Sequence, residues 1–344
     1  MNITTVGIDL AKTVFQVHGV DERGKVVLRK ALKRTELIKM FSSLPACLVG
    51  MEACGGAHYW ARRLMEFGHT VKLMAPQFVK PYVKTNKNDA RDAEGICEAV
   101  TRPNMRFVPV KDIEQQTVLA LHRARQGFVV ERTAQGNQIR GLLYELGIVI
   151  PKGIRYIEKH LPEILEDAEN GLPPISRSLF ARLFEHFERL GSQVKELESQ
   201  IKAWHKQSEA SGRLEAIPGV GALTASALVA SIGNAKTFKN GRQLAAWLGL
   251  VPRQDSSGGK DRLLGISKRG DTYLRTLLIH GARAVMFHRT RQPQHSDGWL
   301  MRLRERRNPN VAAVALANKN ARVVWALLAH QREYCVAPVA AATA

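Results

Sequence analysis

The sequence predicts an α/β domain followed by two mostly helical regions, and three observations carry that prediction. Residues 1 to about 105 alternate short β-rich runs with helical stretches. From about 113 to 208, Leu183, Phe187, Leu190, Val194, Leu197, Ile201 and Trp204 step by four and three through a charged sequence, the pattern of a heptad seam. From 209 to 334, glycine-containing turns join apolar helices to a basic loop. The expected division is 1–110, 111–208 and 209–334, with 335–344 a disordered alanine-rich tail.

The elements follow in order. "VGID", "VFQVHGV" and "KVVLRK" read as a β-meander, with "DERG" as the turn between the second and third runs. A helix around "TELIKMFSSL" comes next, then the strand "CLVGME", the helix "AHYWARRLMEF", the strand "TVKLMA", and helices through "QFVKPYV" and "ARDAEGICEAV". The order βββαβαβα is that of the ribonuclease-H-like fold, although order alone fits other α/β domains. In the second region "GLPPIS", residues 171 to 176, breaks the helical stretches. The seam there serves either an intramolecular hairpin with the 115–147 helix or a coiled coil between subunits, and the sequence does not choose.

Charge narrows the partner. The 344 residues carry 51 Lys and Arg against 31 Asp and Glu, a net charge of +20. A field of that sign attracts nucleic acid or an anionic membrane surface. No run reads as long and apolar enough for a bilayer, and Asp9 and Lys12 interrupt the first apolar stretch, so no membrane span and no signal peptide are expected. The four cysteines have neither zinc-ligand spacing nor the density of a disulfide framework. A cytoplasmic protein is the expectation.

The acids give the chemistry. Asp9 ends the first strand, Glu52 ends the strand expected beside it, and Asp89 and Asp92 lie three apart at the start of a helix, hence on one face. Each alone reads as a turn former, a helix-start charge or a cap. In the proposed fold they converge, and four carboxylates in one small volume repel unless one or two Mg²⁺ ions hold them ionised.

The third region begins with "LEAIPGVGALTASALVASIGN", in which Gly219 and Gly221 permit a tight turn between helices, as in a helix-hairpin-helix nucleic-acid element. A plain helix connection uses glycine for the same reason. Beyond it, Arg253, Lys260, Arg262, Lys268, Arg269 and Arg275 cluster about a Ser/Gly loop, only partly offset by Asp255, Asp261 and Asp271. A phosphate backbone suits such a cluster.

"GIDLAK", "MEACGG", "KNDARDAE", "IPGVG" and "GLVPRQDSSGG" followed by "SKRGDTYLRTLL" together resemble the DEDD transposases of bacterial insertion sequences, also called bridge-RNA-guided recombinases. The resemblance runs from about residue 4 to about 330. It implies a RuvC-like N-terminal domain whose metal ligands are Asp9, Glu52, Asp89 and Asp92, a coiled-coil segment, and a C-terminal transposase domain with a serine nucleophile. That serine carries over to Ser257, directly before Gly258, with Ser256 adjacent to it. The resemblance further implies donor and target DNA as substrates, a guide RNA as partner, and a homo-oligomer, a dimer or tetramer. A Holliday-junction-type nuclease would use the same acids with water and need no serine. A non-catalytic nucleic-acid-binding protein would keep the charge without depending on the acids.

Overall fold

A computed structural model describes residues 2–83, 89–290 and 298–335. The chain divides into two units, Met1–Glu114 and Gln115–Ala344.

In the first unit β1 (Thr5–Asp9), β2 (Val14–Val20) and β3 (Val26–Lys33) form the expected antiparallel meander. After α1 (Arg34–Ser43), β4 (Leu48–Glu52) runs parallel to β1, and after α2 (Ala57–Glu66), β5 (Thr70–Met74) runs parallel to β4. The short α3 (Pro76–Val79) and α4 (Asp89–Val100) follow. A two-residue strand, β6 (Phe107–Val108), then pairs antiparallel with β5, which the sequence pattern did not signal. The sheet order is β3-β2-β1-β4-β5-β6.

The two sheet faces are built differently. On one, Val6, Ile8, Phe15, Val17, Val49 and Met51 meet Leu37, Phe41, Trp60 and Leu64 in one apolar core. On the other lies α4, seated in a groove made by two glycines. Gly7 and Gly50 are register partners on β1 and β4. A Cβ on Gly7 would stand 2.2 Å from the Ala93 carbonyl oxygen, and one on Gly50 would stand 2.8 Å from Val100 Cβ. Only residues without side chains let the helix lie this close to the sheet.

The second unit is helical, with α5 (Ile113–Glu145) starting two residues before its limit. α5, α6 (Ile154–Glu166) and α7 (Pro174–Gln207) form a helical hairpin. Ile139 and Leu143 of α5 share a core with Ile157 and Leu161 of α6 and Phe180 and Phe187 of α7. Farther along, Arg125 of α5 holds Glu198 of α7 at 2.5 Å, so the two long helices run antiparallel. Of the heptad positions, Phe187, Leu190, Val194 and Ile201 are buried within the chain. The intramolecular reading of the seam describes this arrangement.

The remaining elements are α8 (Glu209–Glu215), α9 (Ala222–Ile232), α10 (Gly241–Trp247), β7 (Pro252–Gln254), β8 (Leu263–Ile266), α11 (Thr272–Thr290), α12 (Trp299–Arg306) and α13 (Pro309–His330). By length and composition α13 could cross a membrane, contrary to the expectation that no run would. Leu316, Ala317, Ala321 and Val324 instead pack it into a core with Leu228, Leu244, Leu274 and Leu278. The expected tail, apart from Cys335, lies outside the described residues.

Candidate metal centre and serine hairpin

β1 and β4 are parallel and in register, Ile8 opposite Met51, so Asp9 and Glu52 leave the sheet side by side. Side chains alternate along a strand, which puts Asp9 on the face of Gly7 and Glu52 on the face of Gly50, beneath α4. α4 begins at Asp89, with Asp92 one turn on. One oxygen each from Asp9, Asp89 and Asp92 lies within 4.8 Å of the others, with Asp9 and Asp92 half-buried and Asp89 exposed. Glu52 completes the set electrostatically. Burial first, then the charges of Asp9 and Asp92, push its carboxyl above the ordinary glutamate range. The structure thus brings all four predicted acids to one end of the sheet.

The donor set answers whether a metal fits. All ligand atoms offered are carboxylate oxygens, the preference of hard divalent ions such as Mg²⁺ and Ca²⁺. Opposite ligands on one such ion stand about 4 to 5 Å apart, and the three aspartates are already gathered within that span.

The predicted Ser/Gly loop is a β-hairpin. β7 and β8 pair antiparallel, Asp255 N–H donates to the Arg262 carbonyl at 2.9 Å, and Ser257 and Lys260 form the last bridge. Gly258 (φ 57°) and Gly259 (φ 76°) make the two-residue turn, both in the left-handed region that hairpin turns of this kind require. The Gly-Gly pair was the signal for this hairpin, and the sequence reading missed it.

The two serines differ. Ser256 Oγ donates to Asp261 Oδ1 at 3.1 Å and accepts from Gln254 Nε2 at 2.9 Å and from Arg262 N–H at 3.3 Å, which braces the hairpin. The Ser257 hydroxyl makes no such bond among the described residues, and it sits exposed beside the turn.

Around this tip Arg253, Lys260 and Arg262 are exposed, as are Lys268 and Arg269 past β8. Arg275 is a correction to the expected nucleic-acid contacts. It is only 7% exposed, and its guanidinium donates to the carbonyls of Leu248 and Gly270 and to Thr272 Oγ1, so it braces the chain flanking the hairpin. Gly219 (φ 88°) turns the chain between α8 and α9 and is pressed against α11, where an added Cβ would stand 2.7 Å from the Gly281 carbonyl oxygen. Gly221 caps the start of α9 and is exposed.

One polar cluster had no sequence signal. His122 of α5, 1% exposed, bonds Tyr273 Oη at 2.9 Å through Nδ1 and Ser226 Oγ at 3.0 Å through Nε2. Burial, then the charge of Arg125, lowers its pKa to about 4. These partners lie about 100 and 150 residues away in sequence.

A four-carboxylate sheet end in a strongly basic chain defines a class, the enzymes that act on nucleic-acid phosphodiesters, and the comparisons make it specific. Residues 211–297 match the family model "Transposase IS116/IS110/IS902 family", and residues 6–148 match the DEDD transposase model of IS110. The chain is 53% identical to the "Probable family 20 transposase" of Pseudomonas aeruginosa, over 98% of this chain and 100% of that one. It is 47% identical to the "Transposase for insertion sequence element IS1111A" of Coxiella burnetii, over 97% and 92%. With the "Transposase for insertion sequence element IS1328" of Yersinia enterocolitica it shares 44% identity, over 94% and 96%. The chain belongs to the IS116/IS110/IS902 family of transposases. Membership brings DNA as substrate and a divalent metal ion as cofactor.

Proposed function

We propose that this transposase cleaves and rejoins the DNA strands of an insertion sequence through Ser257, assisted by Mg²⁺ held by Asp9, Glu52, Asp89 and Asp92. The convergence of these four acids carries the reading. When bound, the ion would neutralise the non-bridging phosphate oxygens and favour the alkoxide of a serine that is otherwise a weak nucleophile. Ser257 Oγ attacks phosphorus, its proton departs, the bond from phosphorus to the leaving strand's oxygen breaks, and that oxygen takes up a proton. The phosphodiester energy stays in the seryl linkage, so a hydroxyl of another strand can reverse the step without ATP. Ser256, engaged with Gln254, Asp261 and Arg262, supports the hairpin. Lys260 and Arg262 beside the tip suit the charge that develops on the phosphate.

In this reading residues 1–110 are a RuvC-like catalytic domain, 111–208 a helical segment that also serves subunit contacts, and 209–334 the transposase domain. Subunits assemble as dimers or tetramers in the cytoplasm. A guide RNA pairs with donor and target DNA, which leaves the protein to hold shape and backbone, in keeping with a net charge of +20 and only 6% aromatic residues.

The test is strand cleavage on element-end DNA with Mg²⁺ by Asp9→Asn, Glu52→Gln, Asp89→Asn and Asp92→Asn. Each is expected to lose at least about a hundredfold in rate, the scale of removing one charge-stabilising group, while nucleic-acid affinity stays largely intact. Normal recombination by Asp9→Asn or Glu52→Gln would refute the metal site.

A further inference from the structure

A cleft of about 440 Å³ opens between the start of α10 and one face of α13, away from the residues the sequence singled out. Its α13 wall is a single helical stripe, Lys319, Arg322, Val323 and Ala326, spaced i, i+3, i+4 and i+7. Arg242 faces them from α10. Cationic and apolar groups therefore share one surface. None of the three cations forms an ion pair among the described residues, and all three are exposed. Trp325 also lines the cleft, and its indole N–H is fixed by the carbonyls of Ala235 at 3.2 Å and Phe238 at 3.1 Å.

We infer that this cleft seats an unpaired nucleotide of a single strand, with the flanking phosphates on Arg242, Lys319 and Arg322 and the base against Val323 and Trp325. Volume and chemistry both argue for it. The cleft has room for roughly one nucleotide, and its apolar wall is of use only to a base whose face is free. A fixed aromatic beside cations is the usual means of holding single strands without reading sequence. Position gives the cleft a purpose. Asn318, next to Lys319, donates from Nδ2 to the Leu250 carbonyl at 3.1 Å, just before β7. A strand gripped on α13 is thus held by the helix that is fastened to the base of the serine hairpin. The inference rests on the reading of this chain as a nucleic-acid strand-transfer enzyme, but it needs neither the acids nor Ser257 to be catalytic.

The experiment reads binding in EDTA, where no cleavage chemistry intrudes. Fluorescence anisotropy compares 20-nucleotide single-stranded RNA, single-stranded DNA and duplex DNA on the full chain. The R242Q/K319Q/R322Q variant is set against a control with the same loss of charge on exposed α6 and α7 lysines, K159Q/K195Q/K202Q. The cleft variant is expected to bind single strands at least about tenfold more weakly, with a log K against log[salt] slope flatter by about 2, from about 0.7 for each of three phosphates. The control and duplex binding should change less than about twofold. Loss on RNA alone assigns the guide, loss on DNA alone assigns a substrate strand, and loss on both assigns any single strand. A second measurement needs no variant: irradiation with an iodouracil-containing single strand should place the crosslink within residues 319–326. Equal loss on the duplex, equal loss in the control, or crosslinks that avoid 319–326 would overturn the inference.

Discussion

Glu52 carries a tension that a structural residue would not. Burial and the neighbouring charges of Asp9 and Asp92 raise its pKa above the ordinary glutamate range, so the metal-free fold binds this proton more tightly than the unfolded chain does. The sign follows from linkage: its stabilising contribution is complete below the ordinary glutamate pKa and is lost as pH rises through the raised value. At neutral pH the ionised group therefore opposes folding until a cation compensates it. Glu52→Gln is expected to raise Tm in EDTA at pH 7.5 while losing the Tm gain that Mg²⁺ gives the parent, as thermal melts in EDTA and in Mg²⁺ would show. A lower Tm for Glu52→Gln in EDTA would contradict the account. The four acids were legible because each stands at the end of a recognisable element. Arg275 was not, because the sequence reading grouped it with the cations of the preceding loop, whereas its burial follows from helical phase. It shares a face with Leu278 and Ala282, both fully buried, at spacings of three and seven, and that phase was the available signal.

Among the elements, α4 shows how a local pattern fixes a site at a distance. Two glycines in register cannot be recognised as partners until the strands are paired, yet they set the depth at which α4 lies and so the height of Asp89 and Asp92. The meander and the parallel strands were readable from alternation. β6 was too short to carry a period, and the hairpin of β7 and β8 was hidden because its strands are only three and four residues long. The buried His122 cluster was invisible, since its partners come from α9 and α11. It gives a pH prediction. A histidine held at a pKa of about 4 stays neutral in the fold while the unfolded chain takes a proton near pH 6.5, so stability falls as pH drops from 6.5 to 4. The loss is at most about 3 kcal/mol. Denaturant melts across that window should show the slope in the parent and a flatter one in His122→Gln, which is itself less stable at pH 7 for want of the native bonds to Ser226 and Tyr273. An equal slope in both would place the pH dependence elsewhere.

At the scale of the whole molecule, +20 of net charge supplies affinity for any polyanion and no choice among them. Choice must come from base pairing or from protein contacts with base edges, and the account assigns it to RNA. Protein purified free of RNA is expected to bind DNA with a steep salt dependence yet to recombine element ends only when the noncoding transcript is restored. Undiminished recombination after exhaustive RNase treatment would assign the choice to the protein. The broad class was legible in charge and element order, whereas the enzyme's chemistry depends on which atom attacks phosphorus. The direct measurement is digestion and mass spectrometry of the protein after reaction with a nicked element-end DNA that prevents rejoining. The account expects a nucleotide remnant on Ser257, retained at the same residue in Ser256→Ala and absent from Ser257→Ala and Asp9→Asn. Normal cleavage by Ser257→Ala and Ser256→Ala alike, with no adduct on any serine, would make water the nucleophile and contradict it.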